Sequence, residues 1–181
     1  PSHFTKAAKY TTDGALDKDK YETALISAST TEVKLQGTTT ALEITGADPE
    51  NSVTIAGNPV TTGLAQFEGK KVTLTATVKD TTTGTPAVTT GEVNFYRKGA
   101  TTDTLLNTSP IAVGTNGVAT CEVEISKWTG GNVTENKDEF YAVYLANATY
   151  DTSASWTAAA AGSTATGELK AVYIKSTAIP T

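Results

Sequence analysis

Along residues 71–78, apolar residues and threonines take turns. Val72, Leu74, Ala76 and Val78 fall on one side, with Thr73, Thr75 and Thr77 on the other. Successive side chains of an extended chain point to opposite faces, so this period of two predicts a half-buried strand. The pattern recurs down the chain. Residues 40–45 place Leu42 and Ile44 on one face, and Val53 and Ile55 restart the alternation after a turn at 46–51. Residues 91–96 turn Val93 and Phe95 inward. Residues 118–125 do the same with Ala119, Cys121, Val123 and Ile125, and residues 139–146 with Phe140, Ala142 and Tyr144. A weaker strand over 105–113 is interrupted at Pro110, which suits a sheet edge. Residues 168–175 close the chain as a strand carrying Leu169, Ala171 and Tyr173.

Turn-forming residues separate these runs. Residues 80–86 combine Asp, Thr, Gly and Pro, residues 128–132 read as a loop, and Asn116-Gly117 is the best hairpin signal in the chain. Only 150–161 is ambiguous. The alanines 158–161 favour helix, whereas Gly162 and the surrounding Thr and Ser oppose it. Short strands between turns, without intervening helices, predict an all-β antiparallel sandwich rather than a parallel sheet. Its expected core comprises Val72, Leu74, Ala76, Val78, Val93, Phe95, Cys121, Val123, Ile125, Ala142 and Tyr144.

The length of 181 residues exceeds one sandwich of roughly 100 residues. Residues 1–37 are polar, with a charge-dense Asp17-Lys18-Asp19-Lys20 patch. They read as a linker or the tail of a preceding repeat, and residues 38–181 as the sandwich domain. The run Tyr21-Glu22-Thr23-Ala24-Leu25-Ile26-Ser27 faintly echoes Tyr150-Asp151-Thr152-Ser153-Ala154-Ser155, which supports the repeat reading. A start at Pro1 is what a piece of a longer protein would show.

Composition narrows the function classes. Threonine is the commonest residue, and its branched side chain fits a strand with one wet face. Fourteen Lys and Arg stand against nineteen Asp and Glu, a net charge of −5. That balance argues against a nucleic-acid partner, which wants a basic stripe. No apolar run is long enough to predict membrane insertion. A single cysteine, Cys121, precludes an internal disulfide and reads as a core thiol.

Candidate chemistry is sparse. His3, the only histidine, sits beside the terminus, where a rigid catalytic or metal site is not expected. Glu122 and Glu124 share the outward face of one strand, about 7 Å apart. A flat exposed strand offers no cleft to raise the pKa of one of them, so a glycosidase pair is not predicted. Asp17 with Asp19, or Asp48, Glu50 and Asn51, lack the spacing of a calcium loop. Sequons occur at Asn107, Asn132 and Asn147. No asparagine follows Asn147, so the closing strand cannot supply one to a Lys–Asn isopeptide cross-link. Trp128 and Trp156, with nearby tyrosines, are the candidate ligand-facing aromatics, although an aromatic beside a loop more often packs. No cofactor is expected, and the chain is read as non-catalytic.

Three stretches resemble bacterial immunoglobulin-like repeats, the tandem domains of cell-surface and secreted proteins. Residues 69–78 look like that family's second strand and residues 91–96 like its third. Residues 116–120, Tyr141-Ala142-Val143-Tyr144 and Tyr150-Asp151-Thr152-Ser153 look like its later strands and exit. The resemblance covers about residues 38–181. It implies an immunoglobulin-like sandwich of about seven strands, serving as a stalk, spacer or adhesive module outside the cell. There are departures. The Cys, Trp, Cys pattern of antibodies is absent, and Phe95 stands where an antibody carries Trp. Leu145-Ala146-Asn147 follows Tyr144 where the family usually continues with Gly-Asp. The leading expectation is a monomeric structural spacer whose partners are neighbouring domains of the same chain. The alternatives are an adhesin or carbohydrate-binding module engaging a host protein or glycan through its long loops, and a decorating domain on a phage particle.

Overall fold

A computed structural model describes residues 34–50, 53–55, 58–60, 63–130 and 136–176. Most of the polar segment 1–37 lies outside these residues, including His3, Asp17 and Asp19. Leu35–Thr181 form one compact unit. No helix occurs among the described residues. Seven longer strands carry the fold: β1 (Thr38–Thr45), β2 (Gly63–Phe67), β3 (Lys71–Asp80), β4 (Glu92–Arg97), β5 (Val118–Glu124), β6 (Lys137–Tyr144) and β7 (Lys170–Lys175).

β3 is the centre of the first sheet, whose order is β1-β3-β5, antiparallel throughout. Its alternation is realised literally: Val72, Leu74, Ala76 and Val78 are buried, while Thr73, Thr75 and Thr77 are half-buried on the outer face. Ala119, Cys121 and Val123 of β5 pair with Ala76, Leu74 and Val72, and Leu42 of β1 pairs with Ala76. The dry face of this sheet is therefore one continuous apolar surface.

The second sheet runs β2-β7-β6-β4. β6 pairs antiparallel with β4 and β7, whereas β7 pairs parallel with β2. Short segments complete it. Asp48–Glu50 pairs with β2, Ser153–Ala154 with β6, and both Thr104–Leu105 and Ile111–Ala112 with β4. Val93, Phe95, Phe140, Ala142, Tyr144, Val172 and Ile174 point from this sheet into the interior, against the β3 face. Together with Ile125, Val88 and Val113 they form one buried cluster. Burying each large apolar side chain is worth roughly 1.5–3 kcal/mol, so the cluster is the main driving force for folding.

Polar ties fasten the sheets at two places. The Oγ1 atoms of Thr38 and Thr40 each lie 2.7 Å from Ser153 Oγ, and residues 149–151 bond the backbone of Gln36. Elsewhere, Arg97 of β4 donates from Nη2 to Glu124 O and lies over the Phe140 ring at 5.5 Å. Its buried Nε lies 3.3 Å from Asp138 Oδ1, at ion-pair distance but without hydrogen-bond geometry. Asp138 Oδ2 accepts from Ser126 N at 2.8 Å. Asp138 is 5% exposed, so its charge depends on these partners.

Three local expectations change, and the ambiguous segment resolves. On β7 the interior residues are Val172 and Ile174, while Ala171 and Tyr173 are half-buried on the other face. Both faces of this central strand are apolar, so alternation alone does not choose between them. Residues 105–113 form no single strand. They make two two-residue rungs on the β4 edge, and the buried Asn107 fills the gap by accepting from Phe95 N at 2.7 Å. At Gly114–Gly117 the chain makes a tight turn, but the flanking strands join different sheets. Gly117 has φ +78°, and a Cβ there would sit 2.6 Å from Val78 O, so the corner requires glycine. Finally, the alanines 158–161 lie on an exposed excursion between the paired segments Trp156–Thr157 and Thr166–Gly167, not on a helix.

Asp138→Ala leaves Arg97 partly buried without its counter-charge and Ser126 N without an acceptor. The expected loss is about 3 kcal/mol, read from the urea midpoint. Glu122 pairs with Lys71 at 2.5 Å, but both side chains are well exposed and solvent screens the pair. Glu122→Ala should leave the midpoint essentially unchanged, and equal effects of the two substitutions would contradict the assignment.

Candidate functional site

The most concentrated group of polar and aromatic side chains lies on the outer face of the second sheet. Tyr96 on β4 and Tyr141 on β6 are directly paired in register, between the inward neighbours Phe95 and Ala142. Their rings stack with centroids 5.0 Å apart and planes 10° from parallel. Ser155 brings the third ring. Its N–H donates to Ala142 O at 2.9 Å, and its Oγ accepts from Ala142 N at 3.0 Å. That clasp fixes the following residue, Trp156, at 5.4 Å from Tyr141 and tilted by 57°.

A charged loop closes the row. Asp103 accepts from Lys98 Nζ at 2.8 Å, from Gly99 N at 3.0 Å and from Tyr141 Oη at 2.8 Å. Lys98 Nζ also stands 5.7 Å above the Trp156 ring. The Lys98 ammonium, the Tyr141 hydroxyl and the Gly99 amide hold the Asp103 carboxyl below its ordinary range. Burial, and then the bond to Asp103, push the Tyr141 phenol well above its ordinary range. A carboxylate so stabilised is a poor base, and Tyr141 is a poor proton donor.

The same contacts decide how the row meets a ligand. A sugar platform needs ring faces open to solvent. Tyr141 has Tyr96 and Trp156 as ring neighbours, and Lys98 stands over Trp156. The geometry is that of a fastening, which pins residues 98–103 and 155–157 onto the sheet. Trp128 does not join it but packs against the interior cluster, with its backbone N–H donating to Glu68 Oε2 at 3.0 Å. The two tryptophans thus serve different places, and the joint Trp128–Trp156 platform is not assembled.

The other candidates take structural positions. Cys121 is 8% exposed, and burial raises its thiol pKa. Glu122 and Glu124 are exposed on the outer face of β5. Asn107 is 8% exposed and donates to Asn94 Oδ1 and Ser109 O at 2.9 Å each. Asn147 accepts from Thr149 N and Tyr150 N and donates to Tyr144 Oη, all at 2.8 Å. Both sequon amides are thus engaged in folding contacts. Asn132 and Asn51 lie outside the described residues, as do the side chains of Asp48 and Glu50. Among the described residues no group of three His, Cys, Asp or Glu side chains is arranged to hold a metal ion. A surface hollow of about 400 Å³ is lined by Gly63, Leu64, Leu169, Ala171, Tyr173 and the ion pair Glu168–Lys170.

Sequence reasoning missed the Tyr96–Tyr141 pair and the Lys98–Asp103 loop. The available signal was an aromatic at an outward position on each of two strands, where alternation calls for a polar residue.

Burial also raises the Tyr144 phenol, whose Oη donates to Thr90 O at 2.9 Å. A raised folded-state pKa means stability present below the ordinary tyrosine value of about 10 and lost as pH rises through the folded value. In an alkaline titration followed by phenolate absorbance, Tyr141 and Tyr144 should lag behind the other tyrosines. Asp103→Asn should move Tyr141 towards the ordinary range, and an unchanged titration curve would contradict the Asp103–Tyr141 contact.

No family model, curated protein or solved structure matches the chain.

Proposed function

We propose that this chain is a non-catalytic, immunoglobulin-like spacer module of a bacterial cell-surface or secreted multidomain protein. Its strand order supports the reading. An immunoglobulin reading expects the order A-B-E in one sheet and C-F-G in the other, and the orders β1-β3-β5 and β4-β6-β7 are compatible with it. The reading also rests on the side chains that carry chemistry in other proteins. Here they stabilise corners and fasten loops: Asp103 and Tyr141, Asp138 and Arg97, Asn107 and Asn147.

The observation that carries the spacer role is the parallel pairing of β2 with the closing strand β7. Tension applied to the chain ends pulls β7 along its own axis, past β2 and β6. It likewise pulls β1 past β3, with which β1 shares the full register from Thr38↔Asp80 to Thr45↔Thr73. Hydrogen bonds perpendicular to the pull are loaded in shear, so many rungs must break together. A spacer that separates other modules under load needs that property.

The adhesin reading keeps one specific foothold, the half-buried Trp156 in its aromatic row. Two measurements separate the readings. In single-molecule stretching between the chain ends, the spacer reading expects one abrupt, high-force step for residues 35–181, and gradual unravelling at low force would contradict it. On a glycan array the spacer reading expects no retained sugar. Binding lost in Trp156→Ala would replace it with the adhesin reading.

A further inference from the structure

Most sheet edges in this fold are occupied. The β4 edge carries Thr104–Leu105, Ile111–Ala112 and the side chain of Asn107. The β2 edge carries Asp48–Glu50. β1 is flanked by Asp151 and Ser153, which engage Thr38 and Thr40. β5 is different. It ends the order β1-β3-β5, and no described strand pairs with its far side.

The register shows which backbone groups face that side. Gly117 O accepts from Val78 N, and Ile125 N donates to Lys70 O, so residues 117, 119, 121, 123 and 125 bond towards β3. The backbone groups of Val118, Thr120, Glu122 and Glu124 then point away from it. At the two ends the carbonyls have partners: Val118 O accepts from Gly114 N, and Glu124 O accepts from Arg97 Nη2. Thr120 and Glu122 are exposed, and no partner is seen among the described residues for the N–H and C=O of Thr120 or the N–H of Glu122; the Glu122 C=O accepts only a weak bond from Cys121 Sγ at 3.9 Å. The inward residues of β5 reflect the same opening. Ala119, Cys121 and Val123 are 3%, 8% and 6% exposed, against 0–1% for Val72, Leu74, Ala76 and Val78 of β3.

We propose that the β5 edge pairs with the β5 edge of a second copy of this chain, antiparallel and centred on Cys121, joining two three-stranded sheets into one of six strands. The choice of a second copy rests on self-complementarity. A two-fold axis at Cys121 sets Thr120 of one copy opposite Glu122 of the other. The N–H and C=O of Thr120 in each copy then meet the C=O and N–H of Glu122 in its mate, while the occupied carbonyls of Val118 and Glu124 mark the limits of the pairing. No glutamate faces a glutamate directly, and Glu122 already lies 2.5 Å from Lys71 Nζ. The spacer reading expects a monomer; the open edge argues for a dimer. Unpaired edges of this kind are ready templates for strand addition.

The geometry supplies its own reporter. In this register Cys121 faces Cys121 of the mate as a non-hydrogen-bonded pair, where Cα atoms are about 4.5 Å apart, within disulfide range. Cys121 Sγ already lies 3.9 Å from Glu122 O, a carbonyl on the open side. A diazene oxidant then takes the two thiol hydrogens as two protons and two electrons. Its N=N bond becomes a hydrazine while the S–S bond forms.

The test is sedimentation of the full chain over a concentration series, with and without that oxidant. Expected are a reversible dimer and, after oxidation, a disulfide-linked dimer; Cys121→Ser should keep the first and lose the second. Thr120→Pro removes an N–H that has no partner among the described residues. It should weaken dimerisation about tenfold or more and suppress the cross-link. Should Thr120→Pro fail to fold, hydrogen exchange on the native chain serves instead. The amides of Thr120 and Glu122 should gain protection as concentration rises. A chain that stays monomeric throughout, or shows no concentration-dependent protection at those two amides, overturns the proposal. So does a cross-link undiminished in folded Thr120→Pro.

Discussion

The dry face of β3, pressed against β4 and β6, is the contact on which the rest of this molecule depends. Val72, Leu74, Ala76 and Val78 are almost wholly buried, and they meet Phe95, Phe140, Ala142 and Tyr144 in one cluster. The chain has no internal disulfide, and no metal-holding group occurs among the described residues. Apolar burial therefore carries the stability that such cross-links supply in many small extracellular domains. Threonine makes the arrangement workable. Its branched carbon keeps the strand extended, and its hydroxyl tolerates water on the outer face.

The polar groups add definition to that interior. The Arg97–Asp138 pair, with Ser126 and Glu124, fixes how the end of β5 meets β4 and β6. Ser153 fixes how β1 meets the segment that leaves β6. Asn107 stands in for a missing rung on the β4 edge. Asp138, Thr40 and Asn107 are buried polar residues that find partners where strands end or cross. The aromatic row of Tyr96, Tyr141 and Trp156 works the same way on the outer surface, holding the 98–103 loop through Asp103.

Much of the strand content was legible because alternation is a local property. Residues 71–80 and 92–97 show their interior faces without any knowledge of their partners, since Val or Phe alternates there with Thr, Asn or Glu. β7 was not legible in the same way. Ala171 and Tyr173 are as apolar as Val172 and Ile174, so the choice of face waits on packing between β2 and β6. The site was less legible still. Trp156 meets Tyr141 only because Ser155 bonds Ala142, and Asp103 meets Tyr141 across 38 residues. Arg97 and Asp138 look like solvent-facing charges until the fold buries them against each other. Nor does alternation reveal which edge of a sheet stays open, since strand order is a property of the whole chain.

Native-state hydrogen exchange resolved by residue tests the central contact most directly. If the β3 face organises the fold, the amides of Val72–Val78 and of the paired residues of β6 exchange slowest, and only through global unfolding. Those of Thr104–Leu105 and of the 158–165 excursion exchange first. Amides of β3 that exchanged as readily as those edge rungs would contradict the account.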